Sequence, residues 1–489
     1  MKRLKIMIML LTACGLVFAA DFKAGRLYYN ILSTTEVEVA KVNMKDFVQE
    51  FEEGTLLIPA FVEHEGLTYQ VVGIEDEAFT DASWSLDNTI DEQAKIKAVI
   101  VSEGLKKIGR HAFAKNVELA SAYLPNSLEA IGYGAFAGCI GLNSINTTGS
   151  VDVLEEQVFD NCNLTSIEFL KDVRTIGEQA FRNNASLTAI TIPECVESIK
   201  AGAFASCSRL HSIYIPQNVR YVGNWAFAEA DRSSGYIGEE VYGSPLTVVI
   251  DNNEELQILP GSFGIDETYD SQRKNLRASM TLFFLGSKSP VNGGYKIGMK
   301  CDYEGALPAL IFVPKGLRDT YLESIYEIPQ GGDKTLEYKA FSDFPYVCEF
   351  DPSIIADDNC LLSIRKANNG GTVIVNGKEI SDVQALGIKS GTTLTIQFIP
   401  DEGYTLKQVY WNHNLLDVVK DIPDGGTLTV KLNDNARLDC FFVESDVSDI
   451  KSVVNEDQHP SDIYNLDGRR LNAKPQKGIY IQNGKKVVK

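Results

Sequence analysis

Cys195, Cys207 and His211 carry two thiols and an imidazole within seventeen residues, a ligand set that could hold a zinc ion if all three faced one point. No C-x-x-C pair supports them, and no H-E-x-x-H, G-x-S-x-G or phosphate-loop pattern occurs in the sequence. The remaining histidines, His64, His111, His413 and His459, are scattered. The acidic clusters at residues 251–255 and 357–358 lack the D-x-D-x-D-G order of a calcium loop. Among 66 Asp and Glu, paired carboxylates are plentiful, and none can be assigned to hydrolysis without geometry. The expectation is no catalytic residue, no metal and no cofactor, hence no enzyme.

The elements that carry these residues are set by an internal repeat. One phrase recurs at residues 74–79 (IEDEAF), 108–113 (IGRHAF), 131–136 (IGYGAF), 154–159 (LEEQVF), 176–181 (IGEQAF), 199–204 (IKAGAF) and 222–227 (VGNWAF). Its phenylalanines are Phe79, Phe113, Phe136, Phe159, Phe181, Phe204 and Phe227, and from Phe113 onward they fall 23, 23, 22, 23 and 23 residues apart. A degenerate copy ends at Phe263. Seventeen residues before the phenylalanines from Phe113 to Phe263 stand Ile96, Leu119, Leu142, Leu164, Leu187, Leu210 and Leu246. Three residues after five of them come Asn116, Cys139, Cys162, Asn184 and Cys207, a position that the repeat phase turns inward. Cys139, Cys162 and Cys207 therefore read as small core fillers, which takes Cys207 out of the metal trio.

Each L-x-x-I-x-I piece reads as a short strand, and the I-G-x-x-A-F phrase as a return turn that plants a phenylalanine in the core. No rung can bury its Phe and Leu alone; stacked neighbours bury them together, at about 1.5–3 kcal/mol per large side chain. The architecture is a solenoid with one strand per 22–23-residue rung and an irregular or short-helical return side. These rungs resemble the BspA-type leucine-rich repeat of bacterial surface proteins, over about residues 21–326. Residues 57–59 and 65–74 resemble that family's opening rung, residues 310–317 a closing strand, and residues 319–326 a short capping helix.

In such strands the side chains between core positions form the concave sheet face: Ala98/Ile100, Ser121/Tyr123, Ser144/Asn146, Ser166/Glu168, Ala189/Thr191, Ser212/Tyr214 and Val248/Ile250. The candidate ligand-binding residues are Ser121, Tyr123, Ser144, Asn146, Glu168, Thr191, Ser212 and Tyr214, a low floor beside an aromatic–acidic column of the sort interfaces favour. Insertions at residues 80–95 (with Trp84) and 229–244 (with Tyr236 and Tyr242) interrupt the rhythm, as does an irregular region at 286–307. Solenoid insertions map to loops, often on a binding face.

From residue 346 to 444 the pattern changes to alternating strands with an Asn376-Gly377 hairpin signal. Through residues 370–377 (GGTVIVNG), 400–404 (PDEGY) and the closing Cys440-Phe441-Phe442, this small all-β module resembles a divergent internalin-type B-repeat. Cys360 and Cys440, near its opposite ends, could pair, although connectivity does not follow from sequence. A polar linker (445–460) leads to residues 461–489, whose Asp-Gly and Asn-Gly turns resemble the end of a Bacteroidota C-terminal sorting domain.

Lys2, Arg3 and Lys5, an apolar run to Phe18, and Val17 and Ala19 at the −3 and −1 positions read as a signal peptide over residues 1–20. Residues 11–14 (LTAC) resemble a lipobox that would lipidate Cys14, but the apolar run past Cys14 favours ordinary cleavage. The expected division is signal peptide 1–20, N-terminal cap 21–72, solenoid 73–330, β module 346–444, linker and tail. No later segment is apolar enough to span a bilayer. A net charge of −20 disfavours nucleic acid. The resemblance implies an exported, adhesin-like protein at the cell surface or outside the cell, binding a host or bacterial surface protein. A surface glycan-binding protein is the alternative, and a divergent glycan hydrolase comes third.

Overall fold

The computed structural model describes residues 20–44, 46–47, 54–80, 95–228, 246–259, 261–263, 280–290, 309–329, 335–339, 341, 344, 346–356, 358–412, 414–418, 422 and 426–445, plus strands at 463–464, 470–471, 479–482 and 485–488. Side chains of 326–329, 335–338 and the strands after 462 are outside this description. Residues 1–19 of the segment 1–20 that reads as a signal peptide, Trp84, Tyr236, Tyr242 and most of the linker lie outside the described residues.

The repeat builds a solenoid whose rungs are joined by two sets of parallel ladders. One ladder is the concave sheet, in two groups: Gly54–Ile58, Ile96–Val101, Ser121–Tyr123 and Ser144–Ile145; then Ala189–Thr191, Ser212–Ile215, Leu246–Ile250, Met280–Phe284, Leu310–Pro314 and Val347–Phe350. Between the groups, residues 164–170 form no strand. There Phe169 turns inward against Phe159 and Phe181, with ring centroids 5.7 and 6.3 Å apart.

The second ladder lies on the return side, where irregular or short-helical structure was expected. Two-residue strands such as Lys107–Ile108, Ala130–Ile131, Thr175–Ile176 and Ser198–Ile199 pair in parallel from rung to rung. The physical reason is in the backbone. Two residues before the phenylalanine the chain has positive φ in rung after rung (Glu77, His111, Gly134, Gln157, Gln179, Gly202, Trp225, Gly261), and a left-handed residue cannot continue a helix. The freed N–H groups bond across rungs instead: Phe113 N donates to Ala135 O at 2.8 Å and Phe136 N to Val158 O at 3.0 Å. The capping helix expected at residues 319–326 runs from Arg318 to Leu322 and is shorter than expected.

The core is a continuous stack of rings. Neighbouring phenylalanines from Phe79 to Phe263 have centroids 5.1 to 5.6 Å apart. Four of the seven phrases carry a glycine as their second residue (Gly109, Gly132, Gly177 and Gly223), where the backbone of the preceding rung comes close. A Cβ at Gly177 would stand 2.3 Å from Leu154 O and 2.7 Å from the Glu155 backbone. Gly177→Ala is expected to force those rungs apart and destabilise the protein by about 1–3 kcal/mol, read as a lower urea midpoint. An unchanged midpoint would show that the rungs yield freely.

The concave sheet does not close at residues 310–317. Val347–Phe350 pairs in parallel with Leu310–Pro314, so residues placed by sequence at the start of the β module form a further strand of the solenoid sheet. Residues 359–444 then build two sheets around their own apolar cluster. One orders Val383–Lys389, Asn359–Lys366, Ala436–Glu444, Tyr404–Trp411 and Asn414–Leu415; the other orders Lys378–Ile380, Gly371–Val375, Thr392–Pro400 and Thr427–Leu432. Asn376 and Gly377 both have positive φ, 48° and 82°, as a tight two-residue hairpin requires. Ile463–Tyr464, Arg470–Leu471, Ile479–Gln482 and Lys485–Val488 form a separate four-stranded sheet.

Candidate binding surface

Strand register decides which side chains share a column on the concave face. Leu57 pairs with Ile100 and Ile100 with Tyr123. These three apolar residues are 56%, 40% and 52% exposed, in adjacent rungs of one rigid ladder. Ser121 and Ser144 pair beside them and supply the low floor expected from sequence. Asn146 extends the apolar column, but its side chain is engaged: Oδ1 accepts from Leu124 N at 2.7 Å and Nδ2 donates to Leu124 O at 2.9 Å. It completes the ladder where the neighbouring strand has ended.

Glu168 sits exposed in the rung without a strand, its N–H donating to Ser166 Oγ at 3.1 Å. Thr191 lies beyond that break and pairs with Tyr214, as Ala189 does with Ser212. Apart from Glu168, which lies in the break itself, the candidate residues thus fall into two sets: Ser121, Tyr123, Ser144 and Asn146 on one ladder, Thr191, Ser212 and Tyr214 on the other.

The second set runs directly under the β module. Tyr214 pairs with Val249, Val249 with Phe283, and Phe283 with Phe312. Val249, Phe283 and Phe312 point away from the solenoid core yet are buried, in one cluster with Phe350, Leu361 and Ala385. Phe283 stacks on Phe312 at 4.9 Å and meets the edge of Phe350 at 5.2 Å. The concave face is therefore covered at this end by Phe350, Ile354, Ile355, Leu361, Val383 and Ala385 of the same chain. This corrects the expectation of one continuous open face.

It also corrects the column at Val248 and Ile250. Both are core residues, and Thr247 and Val249 face outward. The segment from Ile250 to Ile258 is one residue longer than the equivalent one from Ile215 to Val222, and a one-residue slip in a strand exchanges its faces.

A charged network anchors the contact. Asp439 accepts from Arg365 Nε at 2.5 Å and from Arg437 Nε at 2.7 Å and Nη2 at 3.0 Å, all three residues being buried. Arg437 Nη1 also donates to Met280 O, 3.3 Å away on the solenoid. Burial raises the Asp439 carboxyl, but the two guanidinium groups more than offset this and hold it below the usual carboxylate range. Sequence reading passed over these residues. The available signal was Arg437 and Asp439 two apart in one strand, which puts opposite charges side by side on the face away from Leu438, Cys440 and Phe442.

The cysteines behave as core groups. Cys139, Cys162 and Cys207 direct Sγ at the carbonyls of Phe113, Phe136 and Phe181, at 3.1, 3.2 and 3.3 Å. Burial pushes the Cys139 and Cys207 thiols up to about 12 and Cys162 well above its ordinary value, so thiolate chemistry is suppressed. Asn116 and Asn184 use the same position to donate to phenylalanine carbonyls at 2.8–2.9 Å. Cys195 is half-buried near Leu170 O while His211 turns to Asp434, so the trio does not converge. Among the described residues no group of three or more His, Cys, Asp and Glu is placed to hold a metal ion. Cys360 and Cys440 are both free. Cys440 lies opposite Lys366, six residues along the strand from Cys360 or about 20 Å at ~3.3 Å per residue, which overturns their pairing.

Comparisons with known proteins match residues 106–233 to the family described as BspA type leucine rich repeat region, in six copies. Similar solved structures include a leucine rich repeat protein of T. pallidum, 23% identical over 44% of this chain and 90% of that one, with a TM-score of 0.35. A leucine-rich repeat protein from Bacteroides ovatus is 16% identical over 71% of this chain and 84% of its own, with a TM-score of 0.37. A leucine rich cell surface protein from Faecalibacterium prausnitzii is 19% identical over 61% and 96%, with a TM-score of 0.27. No curated protein is significantly similar in sequence. In the described residues no helix is long and apolar enough to cross a membrane.

Proposed function

We propose that this chain is an exported, non-catalytic surface protein that binds another macromolecule through the open, N-terminal part of its concave sheet. One observation carries the reading: Leu57, Ile100 and Tyr123 stand exposed on a ladder that continues, beyond the break, into a column covered by the chain's own β module. Exposed apolar side chains in a row on rigid strands are a feature of interaction surfaces, whereas the same residues scattered singly are ordinary. The signal-like segment 1–20 and the repeat match support placement at the cell surface. Residues 359–444, with their B-repeat-like sequence, serve in this reading as a structural module, and the tail sheet as a sorting-like element. Ser212, Tyr214 and Thr191 contribute at the boundary of the covered region rather than at its centre.

The partner proposed is a protein of a host or bacterial surface; nucleic acid is disfavoured by the charge of −20. The test is a binding screen of the full chain against immobilised matrix proteins and a glycan array. A saturable protein hit weakened about tenfold or more by Tyr123→Ala or Ile100→Asp supports the reading, since a central interface residue contributes on the order of 1–2 kcal/mol. A hit that neither substitution touches removes the concave face from the proposal. A glycan-only hit, lost with the exposed Tyr123 ring, replaces the protein partner with a sugar.

A further inference from the structure

We propose that His211 is a pH-sensitive fastener between the solenoid and the β module, at its strongest in mildly acidic solution and released as the solution becomes alkaline. The inference rests on the seen contact between the two parts and not on what the open end of the concave face binds.

The geometry makes the case. His211 Nδ1 lies 3.0 Å from Arg209 O, and Nε2 lies 2.5 Å from Asp434 Oδ2 on the module. Both partners are oxygen acceptors. An imidazole can satisfy two acceptors only when both nitrogens carry protons, which is the charged form. Beside it, Asn435 Nδ2 donates to Ser212 Oγ at 3.0 Å, while Asn435 Oδ1 accepts from Leu361 N at 2.7 Å. Residues 434–437 thus run along the solenoid from the Ser212 rung to the Met280 rung, with His211 at one end and Arg437 at the other.

The groups that face His211 set the sign. Asp434, from the module, favours the charged ring by its hydrogen bond and charge, and the Arg209 carbonyl favours it too; burial and the charge of Arg209 oppose it, and the balance raises the His211 pKa above its ordinary value. Thr188, Ser212, Thr247 and Asn435, which adjoin it through backbone or side chain, carry no charge. Burial acts to raise the Asp434 carboxyl, but the His211 bond and charge and the Asn435 N–H outweigh it and hold it below its ordinary value. A histidine whose pKa is raised in the docked state favours docking below the free-state value, and that contribution is lost as pH rises through the docked value. A carboxylate held low contributes above its free-state value and loses the contribution as pH falls. The fastener is therefore complete from about pH 4 to about pH 6.5, the ordinary values of the two groups. Above that window the neutral ring must give up one acceptor, and the contact beside Ser212 and Tyr214 loosens.

The test is hydrogen exchange on the full chain from about pH 6 to about pH 9, corrected for the pH dependence of chemical exchange. Wild-type protection of residues 212–215 and 434–437 is expected to fall about threefold or more across that range. His211→Gln should start lower and stay flat. Asn435→Ala, which removes a neighbouring hydrogen bond without a titrating group, should lower protection throughout while keeping the slope. Wild-type protection that is constant over the range, or a His211→Gln variant with the wild-type slope, would overturn the proposal.

Discussion

Phe181→Ala is expected to destabilise the solenoid by about 3–5 kcal/mol and to separate its unfolding into two steps. Phe181 is buried in mid-stack, with Phe159 at 5.6 Å on one side and Phe204 at 5.1 Å on the other, and Phe169 packs against it at the break in the concave sheet. Truncation removes the transfer energy of the ring and leaves a cavity that the rungs, held together by backbone ladders, cannot collapse to fill. In a solenoid each rung touches only its neighbours, so a defect here weakens the one link between the rungs around Phe136 and those around Phe227. Urea unfolding followed by circular dichroism and by hydrogen exchange on each half measures the effect. A single transition shifted by less than about 1 kcal/mol would show that the ring stack is not what couples the rungs.

Asp439→Asn is expected to destabilise the β module and its docking together, by about 3–5 kcal/mol, because it leaves two guanidinium groups buried without a counter-charge. The amide is nearly isosteric, so packing is preserved and the loss is electrostatic. It can still accept from one arginine, but it brings two donors into a site already full of them. A triple replacement of Arg365, Arg437 and Asp439 by apolar residues of similar volume should recover much of the loss, since buried ionic groups seldom exceed an apolar core in stability. The native network also has a defined acid limit. Because the Asp439 carboxyl is held below its ordinary value, its contribution is present above the unfolded carboxylate pKa and is lost as pH falls through the depressed value. Thermal unfolding of wild type and Asp439→Asn across acid pH should therefore converge at the low end. A constant difference between them down to the lowest pH would exclude the charged network as the cause.

The repeat was legible because a solenoid core is periodic in sequence. Phe113 to Phe227 stack in register because their spacing is nearly constant, and the inward direction of Cys139, Cys162 and Cys207 followed from the same phase. The return side was read as mostly irregular or short-helical, and its two-residue strands went unseen, since nothing local announces that His111, Gln157 or Trp225 will adopt positive φ. That conformation is imposed by the rung below, whose carbonyls take the N–H groups. The column at Val248 and Ile250 failed for a simpler reason: one extra residue before Ile258 broke the count.

The amino-acid order by itself determined the rung length, the identity of the repeating phenylalanine, asparagine and cysteine core positions and the absence of any recognisable catalytic motif, because each depends on spacing within about one repeat. Only the tertiary structure decided how much of the concave face is open. Leu57, Ile100 and Tyr123 differ little in type from Val249, Phe283 and Phe312, yet the first three meet solvent and the last three meet Leu361 and Ala385. The same holds for His211 and Asp434, 223 residues apart in the chain and joined only by the docking of one part on the other. Contacts between residues so distant leave no periodic trace in a single sequence, since they depend on where two surfaces meet and not on what either repeats.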